Sequence, residues 1–250
     1  MPPLVRRDDR HGSAVLALDS PSNRNALSRR LVAELSEHLV AARSDPDVRA
    51  VAITGTGSTF CSGADLTDPP VDEGRGSFSD VLSELWGYPK PVVAALNGHV
   101  RAGGFGLVAA ADAVICARSA SFAFTEVRIG VAPAIISVLC LRRMTPIAAS
   151  RYMLTGERFD ADDALAAGLI SSVVDDADLP AATDRLLDEL RQCEPNALRV
   201  TRSLLRTIPS MDAEAGFAHA RRVSAEMFSS PEAAEGIAAF REKRPPRWAS

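Results

Sequence analysis

Two short apolar runs, residues 48–54 and 92–96, each pass straight into a glycine-bearing turn. Both are too short for helices and rich in β-branched residues. Gly55 closes the first and Asn97-Gly98 the second, so both read as buried strands. An earlier apolar run at 15–18 reads the same way. Between it and residue 48, Ser28 sits where a helix N-cap belongs, with Leu31, Leu35 and Leu39 at helical spacing up to about Arg43 and Asp45-Pro46 as a stop. A helix is predicted at 79–86, a glycine-rich bend at 102–106 opens an apolar helix to Ala111, and short strands follow at 114–117 and 121–124. Strands alternating with helices fix an α/β class. The second half reads as helices at about 134–143, 147–154, 161–167, 179–193, 195–205, 211–228 and 231–240. The predicted division is an α/β core over 1–195 and a helical region over 196–250. No internal sequence repeat marks a solenoid.

The 250 residues are 46% hydrophobic and 24% charged, an ordinary globular balance that excludes a disordered chain, a collagen-like chain and a disulfide scaffold. A formal net charge of −4 argues against a general nucleic-acid binder. An anionic ligand would need local cations or backbone N–H groups. Cys61, Cys116, Cys140 and Cys193 show no metal-site spacing and are predicted to be reduced, mostly buried thiols. Residues 1–10 are polar with no apolar signal core, and no apolar stretch reaches the roughly 20 residues that span a bilayer. These features predict a cytoplasmic protein without a membrane or nucleic-acid partner.

Three segments carry candidate chemistry. The first, Thr59-Phe60-Cys61-Ser62-Gly63-Ala64-Asp65-Leu66, follows the 48–54 strand; the second, Asn97-Gly98 to Gly103-Gly104-Phe105-Gly106-Leu107, follows the 92–96 strand. Ligands sit at the carboxyl ends of strands in α/β sheets, and glycines let backbone N–H groups approach them. Two such turns side by side can aim two donors at one oxygen, as in an oxyanion hole; as isolated motifs they are equally ordinary tight turns. The third segment, 121–130, holds Glu126 among apolar neighbours, where desolvation raises a carboxyl toward the range of a general acid/base. A surface pair with Arg128 on a strand is the plainer reading of Glu126. The irregular stretch 55–76 is long enough to be functional or mobile.

Taken together, F-C-S-G-A-D-L, A-A-L-N-G with G-G after it, T-E-V-R-I-G, L-T-G-E-R-F-D-A, A-L-A-A-G-L-I and F-R-E-K-R, in this order over residues 15–248, resemble the crotonase (enoyl-CoA hydratase/isomerase) superfamily. The resemblance implies the ClpP/crotonase superhelix of β-β-α units with a helical C-terminal trimerisation region. It implies homotrimers, often paired into hexamers, acting on acyl-CoA thioesters with no bound cofactor, coenzyme A being part of the substrate. By the family pattern, the N–H groups of Ala64 and Gly103 hold the thioester oxygen and Glu126 is the catalytic acid/base. Arg24, Ala26, Phe60, Asp65, Leu66 and Thr67 lie along the CoA moiety. Phe240 and Lys243 close over the nucleotide, from the same or a neighbouring subunit.

The sequence departs from the two-glutamate hydratases of that family at Gly106, where their first glutamate falls. Three chemistries then fit. Glu126 can pass on the proton that it takes from water. A second acid can come from Asp68, Asp72 or Glu73. Or the reaction is double-bond isomerisation between C2 and C4, which needs one base. Ile135-Ile136 stand where many relatives have a glycine-rich turn, which resembles the branch of methylglutaconyl-CoA and terpenoid-CoA hydratase-like enzymes. The leading expectation is an enoyl-CoA hydratase, the alternatives an enoyl-CoA isomerase or a non-catalytic acyl-CoA-binding homologue. His99, Cys61 and Trp86 are expected to be structural. Arg101 is left between a subunit contact and a substrate carboxylate. A serine hydrolase triad is not supported, because G-x-S-x-G is missing.

Overall fold

The computed structural model describes residues 2–10, 12–68 and 76–249. The strands are β1 (Val5–Arg10), β2 (Ser13–Leu18), β3 (Ala50–Gly55), β4 (Thr59–Cys61), β5 (Val92–Leu96), β6 (His99–Arg101), β7 (Ala113–Ala117), β8 (Ser121–Ala123), β9 (Phe159–Asp160) and β10 (Ser172–Val174). The helices are α1 (Arg29–Ser44), α2 (Phe78–Trp86), α3 (Gly104–Ala110), α4 (Ala134–Cys140), α5 (Pro146–Thr155), α6 (Ala161–Ala166), α7 (Leu179–Arg191), α8 (Pro195–Thr207), α9 (Ala213–Phe228) and α10 (Pro231–Glu242).

A six-stranded sheet runs β1-β2-β3-β5-β7-β10, parallel except for the antiparallel edge strand β1. Its inner strands are buried on both faces, which is why 92–96 reads as an unbroken apolar run. A smaller sheet runs β4-β6-β8-β9, with β4, β6 and β8 parallel. The chain passes from a long strand to a short one and on to a helix three times: β3-β4-α2, β5-β6-α3 and β7-β8-α4. This is the expected superhelix of β-β-α units, a structural repeat without a sequence repeat.

Ser28 does cap α1, its hydroxyl accepting from Leu31 N at 3.2 Å. Ser77 and Asp80 form a reciprocal capping box that starts α2. Strand β1 was not predicted. Its VRRDDR sequence carries the charge that protects an edge strand from pairing further, and that charge conceals the strand pattern. Strands of two or three residues, such as β4, β6 and β9, are likewise too short to show alternation.

Helix α8 is tied to the core by Arg202, which is 5% exposed. Its guanidinium donates to Asp112 Oδ2 at 2.6 Å, to Leu85 O at 2.6 Å and to Tyr88 O. Arg206 reaches Asp112 Oδ1 at 2.8 Å and lies over the Trp86 ring, 4.5 Å from its centroid. Among the described residues, no helix is long and apolar enough to cross a membrane and no cluster of side chains could hold a metal ion.

Candidate active site

The chemistry-bearing turns follow the short strands, not the long ones. Ala64 lies just past β4, Gly103 just past β6 and Glu126 just past β8, so three neighbouring parallel strands of the small sheet each deliver one group at their carboxyl ends. The expectation that the turns continue directly from 48–54 and 92–96 is corrected accordingly: β4 and β6 intervene.

At the first turn, Leu27 N donates to Gly63 O at 2.8 Å and Asp65 N donates to Leu27 O at 3.2 Å. This parallel bridge passes over the Ala64 N–H. At the second turn, Ala102 N donates to Ala123 O, Phe105 N to Ala102 O and Gly106 N to Gly103 O. The Gly103 N–H at the start of α3 is passed over in turn. Among the described residues, no protein acceptor takes either N–H.

The two turns touch. Gly63 has φ +92°, and a Cβ there would lie 2.6 Å from Ala102 Cβ and 3.1 Å from Gly103 N. A Cβ on Gly103 would lie 3.0 Å from a Leu27 methyl and 3.6 Å from Ala64 N. Ala102 itself is held at φ 45°, a left-handed conformation that a non-glycine residue adopts only at a cost of about 1–3 kcal/mol. That conformation turns the chain from β6 into α3 and presents the Gly103 N–H.

Glu126 opens a 3-10 turn, Glu126–Ile129, closed by Gly130 at φ 77°. This corrects the strand reading, and Glu126 makes no ion pair with Arg128, which donates instead to Thr155 O. Its Oε2 is buried without a hydrogen-bond partner among the described residues. Burial pushes the carboxyl above the usual carboxylate range, against a smaller lowering by its own backbone N–H. Ala64, Gly103 and Glu126 line one cavity of about 290 Å3, walled by Leu27, Leu66, Phe78, Ile129 and Ile136. Glu126 is the one ionisable residue on its described lining. Two unclaimed donors and a desolvated carboxyl on the lining of one largely apolar chamber can stabilise an anion on one atom and move a proton at a nearby one.

Gly106 lies on α3 beneath this chamber. A Cβ at that position would meet Leu82 Cδ1 at 2.7 Å and Ile136 Cγ2 at 3.1 Å. The space an acidic side chain would occupy there is filled by two aliphatic side chains.

The remaining predicted site residues are dispersed. Leu66 lines the cavity and is 74% exposed. Asp65 accepts from Thr67 N at 2.9 Å and Thr67 Oγ1 at 2.6 Å, and these bonds hold its carboxyl below its ordinary range. Ala26 is buried beside the exposed Arg24, whose carbonyl accepts from Ser62 N. Phe60 is fully buried in the main core and does not line the cavity. Phe240 and Lys243 are on and just beyond α10, and neither lines the cavity of its own chain. Asp68 is engaged with Arg29, its Oδ2 accepting from the Arg29 N–H at 3.1 Å, and does not line the cavity; Asp72 and Glu73 lie outside the described residues.

Arg101 points along β8, donating to Ser121 O at 2.6 Å and Ser121 Oγ at 2.8 Å, and is not on the cavity lining. His99 Nδ1 shares a 3.1 Å hydrogen bond with Ser121 Oγ, and burial, with Arg101 and Arg158 nearby, favours its neutral form. Burial holds the Cys61 thiol up at about 12. Sequence reasoning missed Asn25, a fully buried residue at φ 55°. Its amide donates to Thr56 O and Thr59 O and accepts from Ser20 N, pinning the loop that carries Leu27. The neighbouring Pro/Asn/Ser stretch is its only sequence signal, since Asn tolerates that conformation.

Residues 8–250 match the enoyl-CoA hydratase/isomerase family. A Thermus thermophilus protein provisionally named as an enoyl-CoA hydratase is 38% identical over 244 residues, covering 94% of this chain and 96% of its own. Carnitinyl-CoA dehydratase of Escherichia coli K12 is 35% identical over 252 residues, 96% of each chain. Among solved structures, an enoyl-CoA hydratase of Mycobacterium smegmatis superposes with a TM-score of 0.92 at 31% identity, covering 100% of both chains. Pseudomonas aeruginosa AtuE superposes at 0.89 with 34% identity, covering 99% of this chain and 100% of its own. Matched along nearly its whole length in sequence and in fold, the chain belongs to the enoyl-CoA hydratase/isomerase, or crotonase, family of enzymes.

Proposed function

We propose that the protein is an enoyl-CoA hydratase-type lyase that works with a single catalytic glutamate. One observation carries this reading: the unclaimed N–H groups of Ala64 and Gly103 share a cavity with the unpartnered carboxyl oxygen of Glu126. The thioester oxygen accepts from both N–H groups. Glu126, as carboxylate, takes a proton from water while the water oxygen bonds to C3 of the enoyl group. The C2=C3 electrons move onto the thioester carbonyl as an enolate, which the two donors stabilise. Glu126 then returns that proton to C2, the enolate collapses, and one water has been added. Loss of two such donors is worth several kcal/mol of barrier. The reaction is complete with thioester, water and Glu126.

In this reading Arg24, Ala26, Asp65, Leu66 and Thr67 flank the CoA arm. Phe240 and Lys243 close over the nucleotide of a neighbouring subunit's ligand in a trimer or hexamer. Phe60 supports the site from the core. The aliphatic filling around Gly106 favours one rival, double-bond migration between C2 and C4 by the same carboxylate.

A mass-spectrometric panel of 2-enoyl- and 3-enoyl-CoAs tests both, with crotonyl-CoA, 3-methylglutaconyl-CoA and the dehydration of carnitinyl-CoA included. A mass change of one water supports the hydratase. A moved double bond at constant mass replaces it with the isomerase. Binding without turnover across the panel, unchanged by Glu126→Gln, would leave a non-catalytic acyl-CoA binder.

A further inference from the structure

A second apolar cavity of about 450 Å3 lies between α2 and α4, bordered by Leu82, Trp86, Ile135, Val138 and Leu139. Ile135 borders this groove and also the 290 Å3 reaction chamber. The partition between the two is thin. Leu82 of α2 faces the groove, Ile136 of α4 faces the chamber, and their methyl groups converge on the bare Cα of Gly106. Because position 106 has no side chain, methyl groups of Leu82 and Ile136 both come within 2.7–3.1 Å of where its Cβ would lie. A side chain there would have to push them apart.

We infer that Leu82 and Ile136 are the specificity-determining residues that limit acyl-chain length, by closing the chamber against the α2–α4 groove. The occupant kept out of the groove is the distal hydrocarbon of a long acyl thioester. Three observations point to that occupant. The groove shares Ile135 with the chamber. Most of its lining is aliphatic or aromatic. Its described charged residue, Arg142, has its guanidinium donating to Val138 O, which leaves Ser79 and Ser83 as the other polar members of the lining. The inference rests on the thioester-binding reading above and adds to it the class of acyl group: short hydrocarbon chains, matched to a chamber whose described lining is mostly apolar and includes Glu126 as its one ionisable residue.

The test reads binding, so that it does not depend on turnover. Saturated butyryl-, octanoyl- and dodecanoyl-CoA are titrated calorimetrically into the full-length protein, its Leu82→Ala and Leu82→Val variants, and Leu82→Ala combined with Val138→Glu. A methylene accommodated or refused shifts affinity about tenfold or more. The wild type is expected to bind butyryl-CoA at least about tenfold more tightly than dodecanoyl-CoA. Leu82→Ala should erase most of that ratio by strengthening dodecanoyl-CoA, with Leu82→Val, the gentler change, intermediate. Val138→Glu should cancel the gain while butyryl-CoA binding holds. Equal binding of all three chains by the wild type, or a ratio unmoved in a folded Leu82→Val protein, overturns the inference and leaves the hydratase reading standing. A change of oligomeric mass on Val138→Glu without a change in selectivity also overturns it, because the groove would then be covered by a second copy. If no acyl-CoA binds to any of these proteins, the thioester reading itself fails.

Discussion

Gly63 and Ala102 face one another across the two turns that flank the cavity, so closely that a methyl group at 63 would sit 2.6 Å from the Ala102 Cβ. The contact sets the spacing of the Ala64 and Gly103 N–H groups. Gly63→Ala must relieve the clash and also adopt φ +92°, and both strains move the donors. We expect kcat/KM to fall about hundredfold, the loss seen when one oxyanion donor is misplaced. Steady-state kinetics beside a melting curve checks this. An unchanged kcat/KM in a folded variant would remove the two N–H groups from the mechanism.

In the proposed mechanism Glu126 acts first as a base, and burial raises its carboxyl above the ordinary value near 4.3. The acid limb of kcat/KM should therefore fall at a pH above that value, as the carboxylate is lost. Glu126→Gln should abolish turnover and leave CoA-ester binding intact.

The same raised carboxyl makes the folded state bind a proton more readily than the unfolded one, so its contribution to stability declines as pH rises between the two pKa values. Relative to Glu126→Gln, the wild-type melting temperature should rise as the pH falls through that interval. A difference that is flat with pH would mean that Glu126 is not desolvated.

Asp112 accepts from both Arg202 and Arg206 and also from Val92 N at 2.7 Å. Asp112→Ala leaves two mostly buried guanidinium groups without their counter-charge, a change that costs about 3–5 kcal/mol. Chemical denaturation should show this as a lower midpoint, with α8 released first in hydrogen exchange. Exchange in α8 that matches the wild type would place the anchor elsewhere.

Cys61, Cys116 and Cys140 are buried and their thiols are pushed up to about 12, while Cys193 is exposed. A thiol reagent under native conditions should modify Cys193 quickly and the other three only after unfolding. Fast modification of Cys61 would contradict the packing of Gly104 against it.

Helices with a capping residue and a clean apolar stripe were legible in the sequence. Ser28 with Leu31, Leu35 and Leu39 is the clearest case: the observed α1 has Ser28 as its N-cap and runs one residue past the expected end at Arg43. Strands with both faces buried were legible because every residue is apolar. Of the small sheet only β8 was legible, as the 121–124 strand; β4, β6 and β9 have two or three residues each and owe their existence to neighbours remote in sequence. Of the candidate site, Ala64, Gly103 and Glu126 could be named from motif order. What fills the place of the absent second acid could not, since Leu82 and Ile136 reach Gly106 only through tertiary packing.

The delivery of one group from each of three successive coils has a consequence for how such a catalyst can change over generations. The Ala64 and Gly103 turns leave from the neighbouring strands β4 and β6, which lie about 4.8 Å apart as in all sheets, and the Gly63–Ala102 contact then holds the turns together. The proposed reactive geometry thus rests on strand pitch and on the contacts between the turns, not on the longer connecting segments. Lengthening or rewriting those segments can retune which molecule enters while the pair of donors stays where it is. No single coil, copied or cut away by itself, would carry a working fraction of the whole.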